Sequence, residues 1–486
     1  MSAPRCTCLD PRLRGEDRGL ARGNTCVVIP SSPPSQAQWL AALPQPAATA
    51  KRKPFMSTFP PDTSPAGVVA TEAVLQNPAT LRDLFAVRSY VWFWLGRVCN
   101  SLSVQVQAIA LAWQVYAVAR HTASVSEAAL AVGMLGLAQF LPMFALTLFA
   151  GHAADIYDRR KIMMAGLGVQ LLTSALFSAM AYGGLTLLWP IYGVAALFGS
   201  ARAFYTPASA ALAPTLVERR LIPRAIVVNS AGNQMATIVG PAIGGLLVAF
   251  SPVAAFVASG LLCFASLVSL LLVASPPRQP RPTASRWALI AEGLNYVWTT
   301  KVVLGAISLD LFAVLLGGVT ALLPVYARDI LHVGPQGFGV LRAAPSAGAI
   351  VTGFVLAARP LKTHAGLKMF AAVGIYGLAT LVFALSRSMV LSTLALAILG
   401  AADMVSVFVR QTLVQIVTPD PMRGRVSAVS SLFIGASNEL GEFESGGMAR
   451  LLGPVGSAIF GGCGAILVTL LWAGLFPALR KADRLE

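Results

Sequence analysis

Single ionisable side chains interrupt several long apolar stretches of this sequence, and they are the residues best placed to do chemistry. A charge at the depth of a membrane costs at least about 2.5 kcal/mol, so each of these residues is a candidate functional group. We interpret the carboxylates as candidates for proton coupling and the guanidinium groups as cavity charges. The proton-coupling candidates are Asp310, Asp403 and Glu439, and the cavity charges are Arg97, Arg202, Arg342 and Arg410.

The positions of these residues predict which of them meet. Asp310 lies near the start of its apolar run and Arg410 near the end of its own, at similar depths from the same side of the membrane, so we expect an ion pair between them. Asp403 precedes Arg410 by seven residues, or two helical turns, which places both side chains on one helix face. Asp403 and Glu439 lie near the middle of their runs, where either could carry a proton. The alternative is that these are static pairs that hold helices together, and the sequence leaves both readings open.

The composition identifies the elements that must position these groups. Of the 486 residues, 56% are hydrophobic and only 12% are charged, which is about half the charged fraction of a soluble domain. Many apolar runs are about twenty residues long, the length at which a helix spans a bilayer. In a soluble protein, a net charge of +16 would suggest binding to nucleic acid. Membrane proteins, however, concentrate Lys and Arg in their cytoplasmic loops. We therefore expect a lipid bilayer as the environment and no nucleic-acid partner.

Twelve apolar segments, among them the second at about 128–150 and the tenth at about 389–417, predict the fold class. It is an all-α polytopic membrane protein with twelve transmembrane helices in two six-helix bundles. Lys and Arg cluster in every second loop, which predicts that both termini are cytoplasmic. The predicted parts are a disordered N-terminal tail (1–77, with Met56 as an alternative start), a first bundle (78–275), a cytoplasmic linker with an amphipathic helix (276–301), a second bundle (302–480) and a cytoplasmic tail (481–486).

A polar loop between the second and third segments places Gly151, Asp155, Arg159 and Arg160 at positions one, five, nine and ten. A glycine there lets helix ends approach closely, and an aspartate can accept charge-assisted hydrogen bonds from arginine. The spacing resembles the loop 2–3 signature of the major facilitator superfamily, and the resemblance implies a gating motif that holds the two halves together in the outward-facing state. The matching residues are Gly151, Asp155, Arg159 and Arg160, whereas Ile156 and Asp158 depart from the pattern.

The fifth segment carries a second motif, with Ala236 in place of its first glycine. It resembles the antiporter motif of the same superfamily, which implies export, and its alternative reading is ordinary packing of small residues. Its other residues are Gly240, Pro241, Gly244 and Gly245. The stretch 401–446 further resembles the branch that contains the bacterial enterobactin exporter and related secretion effectors.

These observations predict a secondary active transporter that couples protons to the export of a small amphipathic molecule, siderophore or drug-like, by alternating access. We expect a monomer in the bacterial inner membrane, with no cofactor, no metal site and no catalytic residue. No Gly-x-x-x-x-Gly-Lys-Ser/Thr sequence is present, so the chain has no P-loop of its own to energise transport. The alternatives are an uptake symporter or facilitator of the same fold, an integral membrane lipid-handling enzyme, and a non-transporting scaffold.

Overall fold

The computed structural model describes residues 80–184, 187–274, 286–359, 361 and 363–481. The predicted disordered tail and the first ten residues of the predicted linker, 276–285, lie outside these residues. The helices are α1 (Leu81–Ala86), α2 (Arg88–Ala119), α3 (Val125–Ile156), α4 (Arg159–Tyr182), α5 (Leu188–Leu212), α6 (Ile222–Phe250), α7 (Pro252–Leu271), α8 (Arg286–Thr299), α9 (Lys301–Gly317), α10 (Gly334–Ala358), α11 (Ala365–Leu385), α12 (Met389–Val417), α13 (Asp420–Leu475) and α14 (Pro477–Arg480).

Ten helical stretches of the described chain are long and apolar enough to cross a membrane. One of them, Met422–Leu475, holds two helices that meet at Gly453, where φ is 76° and ψ is 164°. Helix α5 is not among the ten, although it is 25 residues long and packs as tightly as its neighbours. With the long stretch divided and α5 added, the described residues form twelve long helices, and the predicted all-α polytopic fold class is confirmed.

The long helices pack within each half of the chain and along two seams between the halves. In the first half, α2 packs on α6 and α7, α3 on α5, and α4 on both α5 and α7. In the second half, α9 packs on α13, α10 on α12, and α11 on α12 and α13. The two seams join α3 to α13 and α6 to α10.

Glycine pairs bring the helix backbones together at both seams. A Cβ atom on Gly446 of α13 would lie 2.8 Å from the Cα of Gly133 in α3. A Cβ atom on Gly245 of α6 would lie 2.8 Å from the Cα of Gly339 in α10. Real Cβ atoms do not approach this closely, so each seam requires glycine on both sides.

The connection between α3 and α4 is shorter than the sequence predicts. We expected the second segment to end at Ala150 and a polar loop to follow, but α3 continues to Ile156 and only Tyr157 and Asp158 link it to α4. The alanines at 153 and 154 favour helix strongly, which extends α3 through the polar residues. Gly151 and Asp155 of the gating motif therefore lie in the last turns of a helix, not in a loop.

Candidate functional site

A buried ion pair joins α9 to α12. Arg410 Nη2 lies 3.3 Å from Asp310 Oδ2, and the two side chains are only 1% and 6% exposed. A second guanidinium nitrogen, Nη1, donates a hydrogen bond of 3.4 Å to Ser430 Oγ in α13. The sequence predicts this pair, and the structure contains it in an environment from which water is almost excluded.

A small polar cavity borders the ion pair. Asp310, Asp403, Tyr376 and Ser406 line it together with apolar side chains. The Tyr376 hydroxyl donates a hydrogen bond of 3.1 Å to the Gly317 carbonyl, whereas Ser406 Oγ is buried without a hydrogen-bond partner in the described chain. Asp403 lies within electrostatic range of both members of the pair, as the shared helix face predicts.

A second ionic cluster lies between the two halves of the chain. Arg342 Nη1 in α10 lies 3.4 Å from Glu442 Oε1 in α13, and these side chains are 31% and 26% exposed. Glu439 lies within electrostatic range of Glu442, Arg342 and Arg202, and Arg202 comes from α5 in the first half. We call Arg202, Arg342, Glu439 and Glu442 the cross-half cluster. The sequence singles out three of its members but not Glu442 as the partner of Arg342.

Arg97 and Arg202 differ from the two other predicted cavity arginines. Each lies over a phenylalanine of its own helix, at 5.9 Å from the ring centroid of Phe93 and of Phe198 respectively. Neither guanidinium group has an ion pair or a hydrogen bond to any residue that the structure describes. Arg97 lies within electrostatic range of Tyr205, one turn along α5 from Arg202.

The arginines of the gating motif bind the ends of other helices in the first half. Arg159 Nη1 donates a 3.0 Å hydrogen bond to the Ala211 carbonyl near the end of α5. Arg160 donates from Nε and Nη2 to the carbonyls of Leu270 and Leu271, at 3.1 and 2.8 Å, at the end of α7. Carbonyls at helix C-termini lack intrahelical partners and carry partial negative charge, so cations are favoured there. The Asp155 side chain lies outside the described part of the structure.

Asp158, which departs from the family pattern, has a local role that the sequence analysis missed. Its Oδ1 accepts a hydrogen bond of 2.9 Å from the backbone N–H of Arg160, so it caps the start of α4. An aspartate directly before a helix is a common N-cap, and that signal was available in the sequence.

The residues of the antiporter-like motif bring α6 against two neighbours. Cβ atoms on Gly240 and Gly244 would lie 2.5 and 3.0 Å from the Cβ atoms of Gln105 and Ile109 in α2. Gly245 instead faces α10, at the seam between the halves. The motif thus positions α6 between a helix of its own half and a helix of the other.

A polar contact between the halves was missed by the sequence analysis. The Tyr116 hydroxyl at the end of α2 donates a hydrogen bond to the Asp329 carboxylate, and Arg120 Nη2 lies 3.5 Å from Asp329 Oδ1. Asp329 lies in a π-helical turn, Tyr326–Ile330, that follows α9. The signal in the sequence was an acidic residue directly after Arg328, between two apolar segments.

Together, the twelve long apolar helices and the ionic clusters between them define a multi-pass membrane transporter of the major facilitator fold. A bacterial homologue of the iron transporter ferroportin, solved in an inward-facing state, has a TM-score of 0.60 at 17% identity over 81% of this chain and 99% of that chain. A D-xylose-proton symporter gives a TM-score of 0.58 at 14% identity over 82% and 99%.

The family described as transmembrane secretion effector matches residues 83–486, so the chain belongs to this family. The enterobactin exporter of Citrobacter koseri is 25% identical over 418 residues, which cover 84% of this chain and 94% of that protein. The enterobactin exporter of Escherichia coli O81 is 26% identical over 425 residues, with the same coverage. The resemblance that the sequence suggested is confirmed. Among the described residues, no group of three or more His, Cys, Asp or Glu side chains could hold a metal ion.

Proposed function

We propose that this protein exports a small amphipathic molecule of the siderophore or drug-like kind in exchange for protons, by alternating access of two six-helix bundles. The bundles correspond to residues 78–275 and 302–480, joined by a cytoplasmic linker. The protein acts as a monomer in the bacterial inner membrane with both termini in the cytoplasm. The names of its curated relatives support the direction and the kind of substrate.

The observation that carries the proposal is the polar cavity at membrane depth in a fold of transporters. Two carboxylates, Asp310 and Asp403, line this cavity, and the guanidinium group of Arg410 lies within electrostatic range of both. An unbalanced carboxylate in an apolar surrounding is costly, and proton uptake removes that cost. Glu439 offers a second carboxylate at the boundary between the halves.

The contacts between the halves support alternating access. The Tyr116–Asp329 contact and both glycine seams lie toward the same end of the bundle, which is the external end in the proposed orientation. The gating motif of Gly151, Asp155, Arg159 and Arg160 lies at the opposite end, where it would join the halves when that end closes. The small residues of the antiporter-like motif let α6 slide against α2 and α10 during the change.

The test is transport of enterobactin into proteoliposomes with an acidic interior. We expect the wild-type protein to accumulate the compound and a protonophore to abolish the accumulation. Asp403→Asn is expected to stop gradient-driven accumulation, with Asp310→Asn and Glu439→Gln measured beside it. Asp420→Asn is the matched control, because Asp420 is 81% exposed at the start of α13.

Two outcomes would count against different parts of the proposal. No accumulation by the wild-type protein would remove the export function. Full gradient-driven accumulation by all three carboxylate variants would leave export intact and remove the assignment of proton coupling.

The gating role is tested separately with Asp155→Asn. We expect this variant to be expressed normally and to cycle poorly, because the motif could no longer hold the two halves together. Normal transport by Asp155→Asn would remove the gating role.

A further inference from the structure

We propose that the polar cavity beside the Asp310–Arg410 pair binds one sodium ion. This site goes beyond the proposed function, which assigns only a proton to the cavity. Binding of the ion can be measured whether or not the protein transports a molecule, so the site is tested on its own. Four features of the cavity support it: an unbalanced charge, an unused hydroxyl ligand, a nearby helix end and a small volume.

The charges around the cavity do not balance. Asp310 is neutralised by Arg410, whose Nη2 lies 3.3 Å from Asp310 Oδ2. Asp403 lines the same cavity and makes no ion pair or hydrogen bond with any residue that the structure describes. With Asp403 ionised, the cavity therefore carries one excess negative charge, which either a proton or one monovalent cation can balance. A divalent ion would leave an excess positive charge at membrane depth, which is costly.

A buried serine in the cavity also lacks a partner. Ser406 follows Asp403 by three residues in α12, so the two side chains are neighbours on one helix face. Ser406 is 2% exposed, and its Oγ has no hydrogen-bond partner in the described chain. A buried hydroxyl without a partner costs free energy, whereas its oxygen is a suitable ligand for a hard cation such as sodium. Ser406 Oγ is thus an unused ligand beside an unbalanced carboxylate.

A break in α9 places a helix end next to the cavity. Helix α9 ends at Gly317, although the apolar stretch to which it belongs continues to Ile330. The Tyr376 hydroxyl, which lines the cavity, donates a hydrogen bond of 3.1 Å to the Gly317 carbonyl. Carbonyls at a helix C-terminus carry partial negative charge, and interrupted helices of this kind hold sodium ions in other transporters. The Tyr376 oxygen keeps lone pairs for a cation while its proton is donated to Gly317.

The size of the cavity favours a small ion over a larger ligand. Its volume is about 10 Å³, close to the least space that one water molecule needs. A sodium ion is smaller than a water molecule, whereas an organic substrate or a choline ion cannot enter. Asp310 and Ser406 are buried and Asp403 is only partly buried, so the ion reaches the cavity from the side of Asp403.

Binding is measured with radioactive sodium on the purified full-length protein in detergent, with choline chloride keeping the ionic strength constant. We expect one sodium ion per chain, displaced by unlabelled sodium chloride and not by choline chloride. Asp403→Asn removes the excess charge at nearly constant shape, and Ser406→Ala removes the hydroxyl ligand. Each variant is expected to bind sodium at least about tenfold more weakly, the effect of losing one polar contact to a charged group.

Each cavity variant has a matched control. Asp420→Asn removes the same charge from a side chain that is 81% exposed at the start of α13. Ser392→Ala removes a buried hydroxyl of the same helix, α12, that donates a hydrogen bond to Ser386 and does not line the cavity. Both controls should bind sodium as the wild type does. The melting temperature in choline chloride shows that each variant is folded.

Three results would overturn the site: no saturable sodium binding by the wild-type protein, displacement of sodium by choline, or wild-type affinity in both cavity variants. Sodium binding without enterobactin accumulation would count against the transport function alone. Enterobactin accumulation without sodium binding would count against the sodium site alone.

Discussion

The two carboxylate–guanidinium pairs at membrane depth have nearly the same length and very different surroundings. Asp310 and Arg410 are 3.3 Å apart and almost fully buried within one half of the chain. Arg342 and Glu442 are 3.4 Å apart, and about a quarter to a third of each side chain is exposed at the boundary between the halves. The distances alone would predict ion pairs of equal strength, so any difference in their roles must come from their different exposure to solvent.

Burial makes it costly for Asp310 or Arg410 to leave its partner and pair with another group. Removing either member of a buried pair leaves an uncompensated charge, whereas a solvated pair contributes at most about 1 kcal/mol and can change partners readily. The Asp310–Arg410 pair is therefore suited to holding α9 against α12 and to fixing the charge of the adjoining cavity. The Arg342–Glu442 pair is suited to rearrangement when the halves move. Four predictions test this contrast.

The largest effect is expected for Arg410→Gln. This substitution leaves the Asp310 carboxylate buried without its partner, which costs about 3–5 kcal/mol of folding free energy. The melting temperature of the purified protein in detergent should fall clearly below that of the wild type. Arg423→Gln is the matched control, because Arg423 pairs with Asp420 at the surface and its side chain is 50% exposed. If both variants melt at the same temperature, burial does not distinguish the pairs.

A smaller effect is expected when both members of the buried pair are replaced by apolar residues. Asp310→Leu with Arg410→Met leaves no buried charge, so the free energy of unfolding should return to within about 2 kcal/mol of the wild type. Thermal unfolding and gradient-driven transport are measured on the same preparation. If stability is restored and transport is lost, the pair takes part in proton coupling. If stability and transport are both restored, the pair only holds the two helices together. If the double variant is as unstable as Arg410→Gln, side-chain packing and not an unpaired charge causes the loss of stability.

A still smaller change in stability is expected for Arg342→Gln. The pair with Glu442 is partly solvated, so its loss should cost no more than about 1 kcal/mol, and the melting temperature should stay near that of the wild type. Transport should nevertheless slow, because Glu439 and Glu442 would then face each other without this cation. A large drop in melting temperature would show that the cross-half cluster is structural after all.

The smallest effect is expected from salt. At an ionic strength of 0.1 M, the screening length is about 10 Å for exposed charges, and buried pairs are screened much less. A double-mutant cycle on Arg342 and Glu442 should therefore give a coupling energy that decreases as salt is added. The same cycle on Asp310 and Arg410 should give one that stays constant, and equal salt dependence would contradict the contrast.

Much of the fold follows from the sequence alone because the bilayer imposes a simple rule. A helix that crosses apolar lipid needs about twenty apolar residues and satisfies its own backbone, so hydropathy locates the twelve helices. The predicted tenth segment has the same bounds as α12, Met389–Val417. The Asp310–Arg410 pair was also accessible, because both residues stand at similar depths and few other charges compete for them. The extension of α3 could not be predicted, because polar residues at the end of a helix have the same hydropathy as a loop.

Only the tertiary structure decided which side chains meet across helices. The partner of Arg342 and the contact between Tyr116 and Asp329 depend on how each helix is rotated and tilted. A sequence sets the depth of a residue at 1.5 Å per position, but the direction of its side chain relative to another helix depends on packing. The sequence thus determined how deep each charged residue lies in the membrane, and the packing of the helices determined which charged residues contact each other.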